Sequence, residues 1–337
     1  MNDDWKAMNP FVTVLMSVYN GERWLFEAIQ SVLTQSFADF EFIIVNDGSK
    51  DCSLEIINQF AARDRRIVII DKPNTGLADS LNQGIKQAKG QWIARIDADD
   101  LCVSDRLQKQ YEFANADSSL VLIGSGLRVI NETGVPGRLY CYPASHVALV
   151  NGLVTFRQFF AHSSAFYNTE VVRKLGGYRP RIKRSQDFDL WLRLSEVGKI
   201  GCINKPLVKI RKHSLQISND DQGQQQIIDS RIAMTSYWLR REGFVDPVAA
   251  DCSDADFNNY RSWVKTLLHH NQTFEYYTFV KEFKQKLNIE GLSFAGYLTL
   301  FLSLLHEHVF VFRYLREALI GDRFQKKISA LWIKKNQ

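Results

Sequence analysis

The chain has 337 residues, of which 45% are hydrophobic and 23% are charged. These proportions exclude a disordered chain, a collagen-like repeat and a protein with many membrane spans. The net charge of +5 lies in the last 25 residues, which hold seven bases and two acids, so residues 1–312 are neutral. Because nucleic-acid binders spread basic residues over their main domain, we expect no nucleic-acid partner.

Between residues 11 and 125, short apolar runs alternate with segments of helix length. The predicted strands are 11–18, 40–45, 67–70, 92–96 and 120–123, and the predicted helices are 22–35, 53–63, 77–88 and 105–114. Runs of this length suit strands that are buried on both faces of a parallel sheet. Their alternation with helices predicts an α/β protein with a doubly wound sheet.

The second half of the chain has a different pattern. Residues 126–215 predict mixed structure, with a turn at 176–178 and a helix from Asp187 to about Glu196. Beyond residue 220 the predicted helices are 222–241, 257–270, 274–286 and 294–319. We therefore predict two domains, 1–219 and 220–337.

The cysteines and the first residues of the chain indicate the cellular compartment in which the protein works. The five cysteines are odd in number, and no two have the C-x-x-C spacing. Free thiols are typical of a reducing compartment. The acidic first residues lack the apolar core of an export signal. We expect a cytoplasmic protein.

Polar clusters follow the predicted strands, at residues 19–21, 46–49, 72–76 and 97–100. In open α/β sheets, ligands bind at the edge formed by the carboxyl ends of the strands. Four clusters at one edge predict a single cleft. Two of them, 46–49 and 74–76, are equally compatible with ordinary glycine-containing turns.

The cluster Asp97-Ala98-Asp99-Asp100 is the strongest of these signals. Three carboxylates in four residues repel one another, which favours a bound cation. On an extended segment Asp97 and Asp99 point the same way, so both could bind Mg²⁺ or Mn²⁺ together with water and phosphate oxygens. The alternative is an acidic helix N-terminus, in which Asp100 or Ser104 caps the following helix; for Asp100 this alternative stays open.

Taken in order, these motifs resemble the family 2 glycosyltransferases of bacterial surface-polysaccharide synthesis, which have the GT-A fold. The resemblance covers about residues 11–218. Its motifs are VLMSVYN (14–20), SVLTQ (31–35), VNDGSKD (45–51), NTGL (74–77), SLNQGI (80–85), AKG (88–90), IARIDADD (93–100), DRL (105–107), GGY (176–178), DFDLWLRL (187–194) and IRKH (210–213).

The resemblance implies a fold and a set of residue roles. The fold is GT-A, with a Rossmann-like, mostly parallel central sheet, followed here by a mostly helical C-terminal extension. Asp187 is implied as the base that deprotonates the acceptor hydroxyl. The implied nucleotide-binding residues are Ser17, Asp47, Asn74 and Asp97, and Asp47 and Ser17 would contact uracil. The implied ligands of Mn²⁺ or Mg²⁺ are Asp99, Asp97 and His213. Secondary candidates are Asp189, a rival to Asp187, with Arg211 and His162.

Two positions depart from the family pattern. Gln186 stands where the family usually has Glu, so one acid fewer lies near the base. Asn46 replaces an Asp that is often found there. A basic loop, 179–184, precedes Gln186, and we expect it either to be solvated or to bind phosphate. His162 is expected to be a structural residue more than an acceptor contact.

The resemblance implies an inverting glycosyltransferase that moves a sugar from a UDP-sugar to a glycan acceptor, and we expect this acceptor to be linked to a lipid. A degenerate, non-catalytic nucleotide-sugar-binding or scaffold protein is the alternative. A sugar nucleotidyltransferase is weaker, because the first strand ends in YNGE (19–22) and not in a glycine-rich basic loop. Residues 292–312 are largely apolar and precede the basic tail. We expect peripheral contact of this tail with the inner face of the cell membrane; the alternative is a helical bundle or a subunit contact.

Overall fold

The structure is a computed structural model that describes residues 10–154, 159–214, 216, 224–241, 243 and 245–270. The chain divides into two compact units, residues 1–150 with 159–223, and residues 151–158 with 224–337. Every candidate site residue lies in the first unit. Within the described residues, no helix is long and apolar enough to cross a membrane.

Nine strands are described, and they form one sheet. They are β1 (Val12–Val18), β2 (Phe40–Asp47), β3 (Ile67–Lys72), β4 (Trp92–Arg95), β5 (Leu101–Cys102), β6 (Leu120–Ile130), β7 (Pro136–Tyr140), β8 (Phe166–Asn168) and β9 (Lys199–Arg211). The described helices are α1 (Glu22–Leu33), α2 (Ser53–Ala61), α3 (Leu77–Gln87), α4 (Arg106–Ala116), α5 (His146–Val154), α6 (Thr169–Lys174), α7 (Gln186–Val197), α8 (Gln224–Arg241) and α9 (Asp254–His270).

The strand order is β3-β2-β1-β4-β8-β6-β9-β5, and β7 pairs with β6. The strands β3, β2, β1 and β4 are mutually parallel, as the alternation of strands and helices predicts. Beyond β4 the sheet is mixed, since β8 is antiparallel to β4 and β6, whereas β6 and β9 are parallel. Most paired residues lie in parallel ladders, and the predicted α/β fold with a mostly parallel sheet is confirmed.

The core lies on both faces of this sheet. All eight residues of β2 are buried, and Phe42, Ile43 and Ile44 are fully so. Burial on both faces explains why β2 is a continuous apolar run and not an alternating one. On the flanking helix α1, Leu25, Ala28 and Ile29 repeat at helical spacing and face the sheet.

For the predicted helices that lie within the described residues, the boundaries agree with the structure to within a few residues, but two strands are longer than expected. The run predicted as 120–123 continues to Ile130 as β6, and β9 has 13 residues. Register shifts near Ser125 and Gly126 interrupt the pairing of these two strands. Such bulges break the apolar periodicity, so the sequence pattern indicated only short strands here.

In the second unit, α8 and α9 pack together. The Tyr260 hydroxyl contacts the Ile232 carbonyl oxygen at 3.4 Å, and Arg261 donates to Gln225 Oε1 at 2.6 Å. The helices predicted at 274–286 and 294–319, and the basic tail, lie outside the described residues.

Candidate active site

The carboxyl ends of β1 to β4 bring the predicted polar clusters to one edge of the sheet. Val18 at the end of β1 is paired with Asn46 of β2, and Asp47 is paired with Lys72 of β3. Ser17 lies near the end of β1, and Asn74 lies exposed in the loop after β3. The loops after these four parallel strands therefore lie at one edge of the sheet, as predicted.

The loops after β1 and β2 are joined by reciprocal hydrogen bonds. The backbone N–H of Asn20 donates to Ser49 Oγ at 3.0 Å, and the N–H of Lys50 donates to Asn20 Oδ1 at 2.8 Å. Gly21 N–H donates to Ser53 Oγ at 2.9 Å. Asn20 has a φ of +52°, in the left-handed region that asparagine tolerates better than most residues. The two loops thus hold each other in place.

Asp47 is buried, and its carboxylate organises the loop after β3. Oδ1 accepts the Thr75 N–H at 2.9 Å and a hydrogen bond from Lys72 Nζ. Oδ2 accepts the Gly76 N–H at 3.0 Å. A carboxylate offers about four acceptor positions, and the described contacts fill three of them, two on Oδ1 and one on Oδ2.

Gly48 permits the loops after β2 and β3 to approach closely. Its φ is +69°, and a Cβ at this position would lie 2.7 Å from the backbone nitrogen of Asn74. Any side chain would both strain the backbone and push the Asn74 loop away. This explains the glycine in the Asn46-Asp47-Gly48 motif.

The Asp97-Ala98-Asp99-Asp100 cluster follows β4 and has a different set of partners for each carboxylate. Asp97 Oδ1 lies 2.5 Å from Arg95 Nη2, and Oδ2 accepts from the Ser163 hydroxyl at 2.7 Å. Burial raises the Asp97 pKa, but the Arg95 cation, His162 and the Ser163 hydrogen bond together outweigh it and hold the Asp97 pKa below its usual value. Burial and the neighbouring Asp97 charge raise the pKa of Asp99.

Asp100 does not cap the following helix, so that alternative is wrong. Its side chain is buried, with Oδ1 accepting the Arg211 N–H at 2.8 Å and Oδ2 lying 2.5 Å from Ser163 Oγ. The residue before α4 is Asp105, and it makes no side-chain cap. Burial and the charges of Asp99 and Asp97 raise the Asp100 pKa well above its usual value. Asp100 therefore fastens β9 to the acidic cluster.

Arg211, the last residue of β9, and His213, two residues later, both contact the cluster. His213 Nε2 lies 2.7 Å from Asp99 Oδ2, and the imidazole packs against Trp24 with ring centroids 4.0 Å apart. Arg211 is fully buried and donates from Nε to the Asp99 carbonyl oxygen at 3.0 Å. It also pairs with Glu27 Oε2 at 2.7 Å. Arg211 thus supports the backbone that presents Asp99.

The donor set at Asp99 fits a hard divalent cation. Within the described residues, no group of three or more His, Cys, Asp or Glu side chains forms a metal site. Asp99 and His213 nevertheless bring a carboxylate and an imidazole within 2.7 Å of each other, and both are groups that such an ion can take as ligands. Because Mg²⁺ and Mn²⁺ sites at nucleotides need only one or two protein ligands, two protein ligands suffice here.

Asp187 lies in the first turn of α7, as predicted. Its Oδ1 accepts the Phe188 N–H at 2.8 Å. Burial raises the Asp187 pKa, and the Asp97 charge adds to this, whereas the Arg95 cation lowers it. Gln186 precedes it, 94% buried, and its Oε1 has no hydrogen-bond partner within the described residues. A buried carboxylate with a raised pKa is suited to proton transfer. The neighbouring Gln186 Oε1 is a buried acceptor to which no described residue donates a hydrogen bond.

Asp189, the rival candidate, occupies a different environment. Its carboxylate is fully buried and forms ion pairs with Arg179 at 3.0 Å and Arg193 at 2.9 Å. The Arg193 guanidinium also donates to the carbonyl oxygens of Leu175 and Gly177. These contacts join α7 to the turn at 176–178.

His162 begins a 3₁₀ turn, His162–Ser164, behind the acidic cluster. Its Nε2 lies 2.7 Å from the Tyr178 hydroxyl, which in turn lies 3.3 Å from the Tyr167 hydroxyl. Burial and the Arg95 cation lower the His162 pKa well below its usual value, which favours the neutral imidazole. These contacts agree with the structural role expected for His162.

Three residues of this site received no individual role from the sequence: Arg95, Ser163 and Lys72. Arg95 is fully buried, although it carries a charge at the end of an otherwise apolar strand. A charged residue two positions before Asp97 in such a strand is the signal that could have revealed it. Lys72 stands in the predicted polar cluster 72–76, but its contact with Asp47, like that of Ser163 with Asp97, joins segments that are distant in sequence and could not be predicted from it.

The family model described as "Glycosyl transferase family 2" matches residues 13–176. The putative glycosyltransferase EpsE of Bacillus subtilis is 38% identical over 210 residues, which cover 61% of this chain and 74% of EpsE. The O-antigen biosynthesis glycosyltransferase WbnJ of Escherichia coli is 33% identical over 186 residues, covering 54% of this chain and 71% of WbnJ. The chain belongs to glycosyl transferase family 2.

The fold of this glycosyltransferase is also that of a solved structure. TarS 1-349 from S. aureus, in complex with UDP-GlcNAc, superposes with a TM-score of 0.59 at 16% identity, over 97% of this chain and 92% of that one. The predicted GT-A fold and the predicted membership of a polysaccharide-synthesising family 2 type are confirmed. This membership leaves no basis for the sugar nucleotidyltransferase alternative.

Proposed function

We propose that this glycosyltransferase uses a UDP-sugar as its donor. The observation that carries the proposal is the state of Asp47, whose carboxylate has one open acceptor position, on Oδ2. Uracil offers one N–H donor on its pairing edge, whereas guanine offers two adjacent donors that suit two free carboxylate oxygens. Asp47 therefore favours uracil over guanine. The structural neighbour TarS 1-349 binds UDP-GlcNAc, which supports the same donor class.

The proposed base is Asp187, and the proposed stereochemical outcome is inversion. Direct displacement at the anomeric carbon needs one carboxylate that takes the proton of the acceptor hydroxyl. Burial raises the pKa of Asp187, which brings it closer to the value that suits a base near neutral pH. Asp189 is unsuited to this role because two arginines already neutralise it.

Asp99 and His213 are the proposed ligands of Mn²⁺ or Mg²⁺, and Asp97 is a weaker candidate because Arg95 and Ser163 occupy its oxygens. When bound, such an ion supplies positive charge next to the departing diphosphate. The chain itself contributes the orientation of this group, since Arg211 holds the Asp99 backbone.

The proposed acceptor is a glycan that grows on a lipid carrier during assembly of a bacterial surface polysaccharide. The similarity to WbnJ, whose name states O-antigen biosynthesis, supports this acceptor class. We propose that the enzyme works at the inner face of the cell membrane as a peripheral protein. The basic tail that we expect to contribute to membrane contact lies outside the described residues.

Thermal shift tests the donor site. UDP, GDP, CDP and dTDP are each added with and without Mn²⁺, because a ligand that binds the folded state raises the melting temperature. We expect a shift with UDP that Mn²⁺ enlarges. A larger shift with GDP would contradict the argument from Asp47, and no shift with any nucleotide would favour the non-catalytic scaffold.

The base is tested by Asp187→Asn, with the exposed Glu112→Gln as control. Loss of a general base lowers kcat by about 10²–10⁴-fold, so we expect this loss with an unchanged UDP shift. The readout is sugar transfer from a UDP-sugar. Transfer at the wild-type rate by Asp187→Asn would show that another group is the base.

A further inference from the structure

Asn82, in the middle of α3, makes two hydrogen bonds to one residue that lies 96 positions later in the chain. Its Oδ1 accepts the Tyr178 N–H at 2.7 Å, and its Nδ2 donates to the Tyr178 carbonyl oxygen at 2.7 Å. A side-chain amide can satisfy both groups because it has a donor and an acceptor. The backbone of Tyr178 is thus bound to α3 on both its polar groups.

The turn at 176–178 is shaped to bring Tyr178 against Asn82. Gly177 has a φ of +69°, and a Cβ at this position would lie 2.3 Å from Asn82 Oδ1. A side chain here would strain the backbone and push the turn away from α3. The close approach of the turn to α3 therefore explains why this position is a glycine.

The same turn is held to α7, the helix that carries the proposed base. Arg193 of α7 donates to the Gly177 carbonyl oxygen at 2.7 Å. Arg179, the residue after the turn, forms an ion pair at 3.0 Å with Asp189 in the first turn of α7. Asp187 belongs to that first turn as well. A displacement of the turn away from α3 is therefore expected to move the Asp187 carboxylate.

The side chain of Tyr178 contacts the segment that supports the acidic cluster. It is fully buried, and its hydroxyl lies 2.7 Å from His162 Nε2. The next residue, Ser163, donates to Asp97 Oδ2 at 2.7 Å. Burial raises the Tyr178 pKa well above its usual value, and the Asp187 charge is among the smaller causes, so this carboxylate lies near the phenol. Tyr178 therefore connects the surroundings of the base with those of the acidic cluster.

At its other end, α3 begins at the proposed nucleotide site. Thr75 and Gly76, the two residues before the helix, donate their N–H groups to the Asp47 carboxylate. The Ser80 hydroxyl donates back to the Gly76 carbonyl oxygen at 3.0 Å. A helix is a rigid element over this length, so the place of Asn82 is fixed relative to Asp47.

We propose that Asn82 is a positioning residue of the transfer reaction, which sets the place of Asp187 relative to the donor through its two hydrogen bonds to Tyr178. Displacement at the anomeric carbon needs the base and the reacting atoms to be aligned, and a misplacement of about 1 Å can cost about 10²-fold in rate. The inference rests on the proposed function for the role of Asp187, but one of its tests needs no sugar transfer.

The first test is Asn82→Ala, which removes both hydrogen bonds and leaves Asp47 in place. The rate is measured as UDP released from UDP-GlcNAc, UDP-glucose or UDP-galactose, with water in place of the acceptor hydroxyl and deprotonated by the same base. We expect kcat to fall by about 10–10²-fold. The KM for the donor and the UDP thermal shift are expected to stay as in wild type, because the contacts of Asp47 are intact.

Arg173→Met is the matched control. Arg173 of α6 also joins this segment to α3, but at the end of the helix, where it donates to the carbonyl oxygens of Ile85, Lys86 and Ala88. We expect a lower melting temperature with a wild-type kcat. The comparison separates the position of the turn from the general stability of the α3 contact.

Gly177→Ala breaks the same contact from the other side, because its Cβ would collide with Asn82 Oδ1. It is expected to lower kcat with an unchanged UDP thermal shift, as Asn82→Ala does. Two variants that act on one contact have effects that do not add. The double variant should therefore be about as slow as the slower single variant, and losses that multiply would overturn the inference.

Hydrogen exchange tests the inference without sugar transfer. The Phe188 N–H donates to Asp187 Oδ1 at 2.8 Å and so reports on the place of that carboxylate. In Asn82→Ala we expect faster exchange at the Tyr178 and Phe188 amides and unchanged exchange in the loop after β3. Arg173→Met is expected to leave exchange at Phe188 unchanged.

Three further results would overturn the inference. They are a wild-type kcat in Asn82→Ala, an equal loss of kcat in Arg173→Met, and unchanged exchange at Phe188 in Asn82→Ala. A cooperative melting transition shows that each variant is folded. If wild type shows neither a UDP thermal shift nor UDP release, the proposed function fails, whereas the exchange experiment still decides whether Asn82 holds the segment that carries Asp187.

Discussion

The contact between Arg95 and Asp97 provides a quantitative test of the site. Arg95→Met removes a fully buried cation while keeping similar volume. At an effective dielectric constant of about 20, two charges 2.5 Å apart attract by about 7 kcal/mol, much of which offsets the cost of dehydrating them. Breaking a buried ion pair costs about 3–5 kcal/mol. Because the Asp97 side chain keeps 37% of its exposure, we expect a loss of about 3 kcal/mol in the free energy of unfolding, measured by urea denaturation.

The same substitution is expected to change the pH dependence of transfer. Asp187 must be ionised to act as a base, and the Arg95 cation lowers its pKa. Removing Arg95 therefore raises the Asp187 pKa, and the acid limb of kcat/KM moves to higher pH. In wild type this limb is already expected above the ordinary aspartate value of 3.8.

Arg106→Met is the matched control for this experiment. Arg106 is also fully buried, but its guanidinium donates to Gln110 and to the carbonyl oxygens of Arg95 and Ala165, and not to a carboxylate. We expect it to lose stability without moving the acid limb. The electrostatic argument is refuted if the acid limb of kcat/KM lies at the same pH in Arg95→Met as in wild type. It is also refuted if Arg95→Met and Arg106→Met shift this limb equally.

Three further predictions concern neighbouring carboxylates. Asp99→Asn should abolish the part of the UDP thermal shift that depends on Mn²⁺ and keep a UDP shift without metal; a metal-dependent shift of wild-type size would disprove the ligand assignment. Asp189→Asn leaves Arg179 and Arg193 without their carboxylate, so we expect a loss of about 3–5 kcal/mol in urea unfolding; a loss below about 1 kcal/mol would contradict the buried pairing. Gln186→Glu places a second carboxylate beside the base and should move the acid limb of kcat/KM to higher pH; an unchanged or lower limb would show that the new carboxylate does not interact with it.

The sequence was sufficient to predict the parallel half of the sheet, because β1, β2 and β4 are buried on both faces and appear as unbroken apolar runs. It also predicted that Asp97 and Asp99 would lie at the same edge as Asp47, since this follows from the topology alone. The hydrogen-bond and ion-pair partners of these carboxylates could not be predicted from the sequence. Asp100 bonds to Arg211, 111 positions away, and no local pattern specifies such a contact.

The distinction between Asp187 and Asp189 illustrates the same limit. Both residues are aspartates in the first turn of α7, and both belong to the DFDLWLRL motif. Only the three-dimensional packing shows that one is neutralised by Arg179 and Arg193 while the other is not.

The reciprocal hydrogen bonds between the loops after β1 and β2 have a consequence for binding of the proposed nucleotide donor. With Asn20 and Lys50 bonded to each other and Gly21 bonded to Ser53, this border of the cleft is organised before any ligand arrives. A preorganised border loses little conformational entropy on association. Affinity for the nucleotide can then arise from few contacts, and the amide hydrogens of Gly21 and Lys50 should exchange slowly in the free protein as well as in the complex.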